Sequence, residues 1–228
     1  MQRVGEFEKV SFEQFRDAMK DEFYRGQELP PAIEDDLKKM WEEIALPSRA
    51  TTGSAGYDFK APFTFEMRPG ETMKIPTGIR VKIDEGWWLG CLPRSGLGFK
   101  FRMQFDNTMG VIDSDYYFSD NEGHIFAKIT NDSKSQKIVH VEAGNGFMQA
   151  IFIPYGITYS DDATGVRNGG MGAPGTQGAR EAHKKWGYGL HGQQGVRGTT
   201  HERLIFERSW IVRCTRRSFY RSKADWRD

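Results

Sequence analysis

The sequence predicts an all-β barrel or sandwich with a helical insertion near its start. From about Leu46 onward, Gly, Pro and Thr become frequent, and short β-type runs alternate with turn residues. Ile79, Val81 and Ile83 alternate with charged residues, as in a strand with one buried face. Residues 147–153 are nearly all apolar, as expected of a strand buried on both faces. Many short strands between turn signals are typical of barrels and sandwiches.

The first 45 residues predict two helices. Ser11-Phe12-Glu13-Gln14 matches a capping box, and apolar residues then recur at helical spacing as far as Phe23. Gly26 and the Pro30-Pro31 pair end this helix and begin the next, whose apolar stripe runs through residues 33–44. We expect this helical hairpin to act as a docking arm.

Hydropathy and cysteine content exclude several classes of protein. Mean hydropathy is −0.64, no apolar run approaches the length of a bilayer, and the first residues lack the apolar core of a signal peptide. We therefore expect a cytoplasmic protein with no membrane partner. Cys91 and Cys214 are the two cysteines and neither has a CxxC neighbour, which argues against a disulfide framework and against zinc.

The net charge of +1 is unevenly distributed. Residues 176–228 contain twelve Lys or Arg and five Asp or Glu, a net charge of +7, which leaves −6 for residues 1–175. Arginines interleaved with tryptophans permit nucleic-acid binding. We favour a solvated tail, with nucleic-acid binding by the tail as the weaker alternative.

Five short segments carry candidate chemistry, and each also has a purely structural interpretation. Glycines beside an Arg and a Ser in the second segment suit phosphate oxygens, although a strand-to-helix turn explains them equally well. Two acids and a Tyr in the third suit acid/base chemistry, although Asx turns also explain them. The five segments are Ala55–Phe59, Pro93–Gly98, Asn107–Tyr116, Gly144–Ile151 and Arg167–Gly175.

The fourth and fifth segments each contain one informative polar residue. Gln149 interrupts an apolar strand, and burying an amide without a partner costs about 1–3 kcal/mol, so it should bond either to backbone or to a phosphate. Arg167 opens a Gly-rich stretch that is either a disordered linker or a flap that closes on a triphosphate. No Gly-Lys-Ser/Thr follows, so a Walker P-loop is excluded.

Taken in order, these segments resemble the five motifs of the trimeric dUTPase family. The resemblance covers Leu46 to Gly175, and Phe7–Val10 resembles the family's opening strand. It implies a jelly-roll-like β subunit, a homotrimer with shared active sites, and Mg²⁺-dependent hydrolysis of dUTP to dUMP and pyrophosphate. The chain would then comprise the opening strand and helical hairpin, the β core, the Gly-rich flap and the basic tail: residues 1–45, 46–160, 161–175 and 176–228.

The resemblance assigns the chemistry and the base pocket to the third segment. Asp113 would be the general base that orients and deprotonates the water attacking the α-phosphate. Tyr116 would pack its ring against the deoxyribose and leave no room for a ribose 2′-hydroxyl. The uracil edge would be read by Asn107 and by the backbone of Gly110, Val111 and Ile112.

It assigns the triphosphate to the other segments. Asp58 would contact Mg²⁺ through water, because the triphosphate itself largely ligates the ion. Arg167, from a third subunit, would neutralise charge in the transition state, and the flap residues Met171 and Gly172 would contact the nucleotide. The phosphates would be held by residues of a neighbouring subunit: Arg94, Ser95, Gly96 and Gln149.

The sequence departs from the family pattern in the flap and after the third motif. Met171, Ala173 and Pro174 replace the usual stacking Phe and a Ser/Thr pair, which predicts a loss of about 1–3 kcal/mol in the stability of the closed state. The loop that begins at Tyr117 is longer than in the commonest members.

Two alternative functions follow from these features. A dCTP deaminase shares the fold and needs a catalytic glutamate soon after the third motif, where Glu122 lies. Asp113-Ser114-Asp115-Tyr116, however, matches the dUTPase form of that motif. The altered flap motivates the second alternative, a regulatory homologue that binds dUTP with little turnover.

Overall fold

The computed structural model describes residues 1–165 and Arg167, and it confirms the predicted all-β, jelly-roll-like fold of antiparallel sheets. The strands are β1 (Gly5–Lys9), β2 (Ser48–Arg49), β3 (Tyr57–Lys60), β4 (Phe65–Met67), β5 (Thr72–Pro76), β6 (Ile79–Ile83), β7 (Trp87–Pro93), β8 (Met103–Phe105), β9 (Gly110–Ile112), β10 (Phe126–Asn131), β11 (Val139–Val141) and β12 (Gly146–Pro154). The helices are α1 (Phe12–Tyr24), α2 (Pro31–Glu43), α3 (Ser95–Phe101) and the 3-10 helix η1 (Ser114–Phe118).

The largest sheet has the order β2-β3-β12-β7-β9 and carries most of the candidate site. A second sheet has the order β5-β10-β8, and two further pairs are β1-β6 and β11-β4. Every pair of neighbouring strands is antiparallel, so the last residue of one strand lies beside the first residues of the next.

Alternating strands place their apolar residues in the core as predicted. Ile79, Val81 and Ile83 of β6 are all buried. The apolar run 147–153 is buried only in its first half. Its second half extends beyond the pairing with β3, pairs only with β7 as a neighbouring strand, and is half-exposed. The largest fully buried side chains are Tyr116, Phe15, Phe59, Phe65, Phe147, Met67, Ile75, Leu89, Met103, Ile112, Ile125 and Ile129.

The predicted helical hairpin is present as an antiparallel pair. Phe12 at the start of α1 meets Trp41 near the end of α2, with ring centroids 6.2 Å apart. The Ser11 hydroxyl caps α1 by accepting from the Gln14 N–H at 3.1 Å. The second half of the expected capping box is wrong: the Ser11 N–H donates to Glu122 Oε2 at 2.7 Å instead of to Gln14. A carboxylate from the β core therefore replaces the local glutamine.

The hairpin is fastened to the chain's own β core. Phe15 is fully buried, and Gly78 (φ +71°) packs so closely that an added Cβ would lie 2.4 Å from Ile44 Cδ1. Lys9 Nζ donates to the carbonyls of Trp41 and Glu42, at 2.9 and 2.8 Å. The insertion is thus held near the start of α1 and again at the end of α2.

None of the helices in residues 1–165 combines the length and apolar composition needed to cross a bilayer.

Candidate active site

The register of the central strands brings three of the five motifs together. Asp58 of β3 lies opposite Gln149 of β12, and Gln149 in turn lies opposite Leu92 of β7. Arg94 follows directly where β7 ends, so a carboxylate, an amide and a guanidinium meet at one edge of the sheet. We call this group of Asp58, Arg94 and Gln149 the phosphate edge, after its expected role.

Arg94 is fixed across this edge by two contacts. Its Nε lies 3.1 Å from Asp58 Oδ1, and its Nη1 donates to the Gly146 carbonyl at 3.2 Å. A Cβ at position 146 would lie 2.6 Å from Arg94 Nη1, so the side chain rests on a glycine. Arg94 is therefore held in one orientation by groups of its own chain, while 41% of its side chain stays exposed. Its contact with phosphate stays a prediction.

Gln149 is half-buried, and its Nε2 donates to the Pro93 carbonyl at 3.2 Å. Its Oε1 faces Gly56, where an added Cβ would lie only 2.6 Å away. The backbone is therefore a partner of this amide, one of the two partners expected from the sequence. Its contact with phosphate remains a prediction.

Ser95 and Gly96 begin the short helix α3 and are exposed. The strand-to-helix turn expected on structural grounds is thus present between β7 and α3. It carries the Ser95 hydroxyl toward solvent beside Arg94, which is compatible with the phosphate-binding interpretation as well.

Asp113 occupies the opposite end of the site, at the start of η1. Its carboxylate is 41% exposed and accepts from Arg167 Nη2, while Arg167 Nε lies 2.9 Å from Asp115 Oδ1. The resemblance implies that Arg167 acts in another subunit, whereas here it pairs with two carboxylates of its own chain. Two acids at the first turn of η1 concentrate negative charge, which attracts the guanidinium.

Tyr116 lies one turn of η1 after Asp113, and its backbone N–H donates to the Asp113 carbonyl at 3.2 Å. The residue is only 2% exposed, and its hydroxyl donates to the His124 carbonyl at 2.8 Å and accepts from Asn121 Nδ2 at 2.7 Å. Burial raises the pKa of the Tyr116 hydroxyl, so the group stays protonated and donates near neutral pH. Contact between this ring and a sugar remains a prediction.

The loop expected to read the uracil edge joins strands of two different sheets. β8 pairs with β10 and β9 pairs with β7, so the two strands lie in different sheets and are joined by a tight loop. Thr108 has φ +68°, and the Met109 N–H donates to the Asn107 carbonyl at 2.7 Å. Asn107 and Val111 are exposed, whereas Ile112 is buried and Gly110 packs against Cys91.

Asp113 and the phosphate edge do not meet within one chain. Ile112 lies opposite Leu89, so Asp113 falls beside Trp88, six positions before Arg94 along β7. At about 3.3 Å per residue, the backbone positions of Asp113 and Arg94 are about 20 Å apart along the sheet. Within one chain, Asp113 and the phosphate edge therefore form two separate parts of the candidate site.

The donor atoms near the phosphate edge suit an ion that is held mainly by a ligand. Among the described residues, no group of three or more His, Cys, Asp or Glu is arranged to hold a metal. Asp58 contributes one carboxylate, with 17% of its side chain exposed. Mg²⁺ keeps several waters and takes few protein ligands when phosphates bind it, so one carboxylate fits an indirect contact.

Several predicted residues lie outside the described part of the chain. These are the flap residues Met171, Gly172, Ala173 and Pro174, the second cysteine Cys214, and the basic tail 176–228.

Sequence reasoning did not assign a role to Asn121, Gly146 or Gly56. Both glycines lie in the recognised motifs, and in the structure Gly56 lies against Gln149 and Gly146 lies against Arg94. A glycine within a motif was the available signal that another group packs closely there. Asn121 belongs to the longer loop after the third motif, and its bond to Tyr116 spans only five residues. The Arg94–Asp58 pair depends on strand order and could not be found locally.

Comparisons with known proteins find matches to one family. A family model described as dUTPase matches residues 42–175. The deoxyuridine 5′-triphosphate nucleotidohydrolase of Lactococcus lactis is 36% identical over 135 residues, covering 58% of this chain and 89% of the relative. The enzyme of the same name from Actinobacillus succinogenes is 39% identical over 145 residues, covering 60% and 91%. The crystal structure of dUTPase from Streptococcus mutans has 36% identity, covers 50% of this chain and 88% of that one, and gives a TM-score of 0.45.

Proposed function

We propose that this chain, which belongs to the dUTPase family, is a dUTP diphosphatase that hydrolyses dUTP to dUMP and pyrophosphate. The observation that carries the proposal is the match of the family model to residues 42–175, because that range contains all five motifs. It includes the carboxylate of Asp113, the phosphate edge and Arg167.

Asp113 is the general base in this mechanism. A half-exposed carboxylate can orient a water molecule and take its proton while the water attacks the α-phosphate. The bond between the α-phosphorus and the bridging oxygen then breaks, and pyrophosphate leaves with that oxygen. Tyr116, held by the bonds of its hydroxyl to His124 and Asn121, packs against the deoxyribose, and the loop from Asn107 to Ile112 reads the uracil edge.

The triphosphate is bound by Arg94 and Gln149 of the phosphate edge, together with Ser95 and Gly96 at the start of α3. Because this edge is about 20 Å from Asp113 in the same chain, we assign the two parts of one active site to different subunits of a homotrimer. Arg167 contributes positive charge toward the transition state from a further subunit, which requires it to leave its own Asp113 and Asp115.

Mg²⁺ fits the donor set of the phosphate edge, where Asp58 would contact the ion through water. When bound, the ion supplies positive charge that screens the phosphates and holds them in one conformation.

The dCTP deaminase alternative is not favoured. Its catalytic glutamate would be Glu122, yet both carboxylate oxygens of Glu122 accept from Ser11, one from the N–H at 2.7 Å and one from the hydroxyl at 2.6 Å. The side chain is therefore engaged at the start of α1.

The test is pyrophosphate release from dUTP, dCTP, dTTP, dATP and dGTP by the wild type, Asp113→Asn and Asp132→Asn. We expect turnover of dUTP alone, and a fall of about 10²- to 10⁴-fold in kcat for Asp113→Asn. Asp132→Asn is the matched control, because Asp132 pairs with Arg102 at an exposed position.

Three outcomes would contradict the proposal. Equal turnover by wild type and Asp113→Asn would remove Asp113 from the mechanism. Formation of a uracil nucleotide from dCTP would favour deamination. Tight dUTP binding without pyrophosphate release would favour a regulatory homologue.

A further inference from the structure

We propose that Asn121 and Glu122 are positioning residues that set the selectivity of the enzyme for deoxyribose over ribose, acting through Tyr116. The inference rests on the proposed function and concerns the loop from Ser119 to His124, which follows η1. We call this segment the brace loop. It connects the sugar-binding tyrosine to the helical insertion.

Asn121 fixes the tyrosine directly. Its Nδ2 donates to the Tyr116 hydroxyl at 2.7 Å, and that hydroxyl donates to the His124 carbonyl at 2.8 Å. Asn121 Oδ1 accepts from the Gly123 N–H at 3.2 Å, which orients the amide. The hydroxyl thus has both an accepting and a donating partner in one loop, and a hydroxyl held from both sides leaves the ring little freedom to tilt.

The brace loop is packed tightly against the back of η1. Gly123 has φ +69°, and an added Cβ there would lie 2.7 Å from Tyr117 Cα and 2.8 Å from the Tyr116 carbonyl oxygen. Backbone atoms cannot move aside as a flexible side chain can. Displacement of the loop therefore displaces η1, and with it the ring of Tyr116.

Glu122 anchors the brace loop to the insertion. Its two carboxylate oxygens accept from the N–H and the hydroxyl of Ser11, the N-cap of α1. Charge-assisted bonds of this kind are stronger than neutral ones, and a carboxylate at a helix N-terminus is further stabilised by the helix dipole. Glu122 holds φ +56°, a conformation unusual for a residue with a side chain, and the anchor maintains it.

This chain of contacts runs from α1 through Glu122 and Asn121 to Tyr116. A tyrosine that excludes a 2′-hydroxyl must be held in place, because a small tilt of its ring would admit the extra oxygen atom. The longer loop and the helical insertion therefore act together as a support for the sugar pocket.

The experiment measures the ratio of kcat/KM for dUTP to kcat/KM for UTP in the full chain. Asn121→Ala and Glu122→Ala should each lower the ratio about three- to tenfold, the size of one lost hydrogen bond. Glu122→Gln should retain it, because glutamine keeps an acceptor for the Ser11 N–H and a donor for its hydroxyl. Glu66→Gln is the matched control, since Glu66 pairs with His140 on an exposed surface of β4 and β11.

A double-mutant cycle identifies the route of the effect. If Asn121 acts through the tyrosine hydroxyl, the ratio in Tyr116→Phe should not fall further when Asn121→Ala is added. If a variant only reduces the amount of folded protein, the apparent kcat/KM falls equally for dUTP and UTP, and the ratio is unaltered. Thermal unfolding of each variant provides the check on folding.

If the wild type hydrolyses dUTP and Asn121→Ala has the same ratio of kcat/KM for dUTP to kcat/KM for UTP as the wild type, this inference is overturned and the proposed function stands. Additive effects of Asn121→Ala and Tyr116→Phe would overturn the route through the hydroxyl. A fall of the ratio in Glu122→Gln equal to that in Glu122→Ala would show that the charge itself acts, and would also overturn the positioning role. Absence of dUTP turnover by the wild type would overturn the proposed function first.

Discussion

Arg94 and Asp58, which are 36 positions apart in the chain, form an ion pair with Nε 3.1 Å from Oδ1. The pair joins the first two motifs across β12, because Asp58 and Leu92 are both in register with Gln149. It also orients the guanidinium, which would otherwise sample many rotamers, before any phosphate binds.

Replacing this guanidinium with an ammonium should weaken substrate binding. Arg94→Lys keeps one charge but loses the planar fork that contacts Asp58, the Gly146 carbonyl and phosphate together, so we expect KM for dUTP to rise about tenfold. Arg102→Lys is the control, because Arg102 pairs with Asp132 at a site where 64% of its side chain is exposed. Equal KM values in the two variants would place the phosphates elsewhere.

A methyl group at position 56 should disturb Gln149. In Gly56→Ala the new Cβ would lie 2.6 Å from Gln149 Oε1, so the end of this flexible side chain must shift, which weakens its bond to the Pro93 carbonyl. We expect a loss of about 0.5–1.5 kcal/mol in the free energy of unfolding, measured in urea, and a higher KM. Gly53→Ala, in the same loop, meets nothing within 4 Å and should match the wild type in both measurements.

Removing Arg167 should lower the rate more than the affinity. If its charge acts in the transition state, Arg167→Ala should reduce kcat by about 10²-fold or more, with a smaller change in KM. Arg49→Ala provides a comparison, since Arg49 is exposed and its guanidinium bonds to the carbonyls of Thr52 and Ser54. A faster Arg167→Ala enzyme would mean that the contact with Asp113 restrains the base.

Acid should destabilise the protein through His124. The residue is fully buried, its Nε2 accepts from the Gly78 N–H at 2.9 Å, and burial followed by the charge of Lys74 lowers its pKa to about 3. The unfolded chain takes up this proton near pH 6.5, whereas the folded chain does so only near pH 3. Protonation of His124 therefore has no effect on the free energy of unfolding above pH 6.5. As the pH falls from 6.5 toward 3, the unfolded chain binds a proton that the folded chain excludes, so the free energy of unfolding decreases progressively.

The measurement is the free energy of unfolding between pH 7 and pH 4 for wild type and His124→Gln, which retains an acceptor for Gly78. The difference between the two curves should change by about 1.4 kcal/mol per pH unit below pH 6. Parallel curves would mean that His124 does not take part.

Patterns within a few residues predicted much of the fold. The Ser11 cap, the start of α2 at Pro31 and the alternation along β6 depend on neighbours in sequence, and all are present. The apolar run 147–153 was less informative, because hydrophobicity records what a segment can bury and not which neighbours cover it.

Contacts between distant segments explain what the sequence could not predict. Gln14 was the local candidate for the Ser11 N–H, but the Glu122 carboxylate, 111 positions away in the chain, accepts that bond at 2.7 Å. The same limit applies to the loop before β9. Only strand order reveals that β8 and β9 belong to different sheets.

The fastening of the helical insertion also limits how this protein can be shortened. Excision of the segment between Val10 and Ile44 would remove the hydrogen-bond partners of two charged groups. The Glu122 carboxylate would lose its bonds to Ser11 at the start of α1, and the Lys9 ammonium would lose its bonds to the carbonyls at the end of α2. It would also uncover the cavity filled by Phe15. A minimal version of this enzyme therefore needs compensating substitutions on the barrel itself, and a simple deletion should yield an unstable protein.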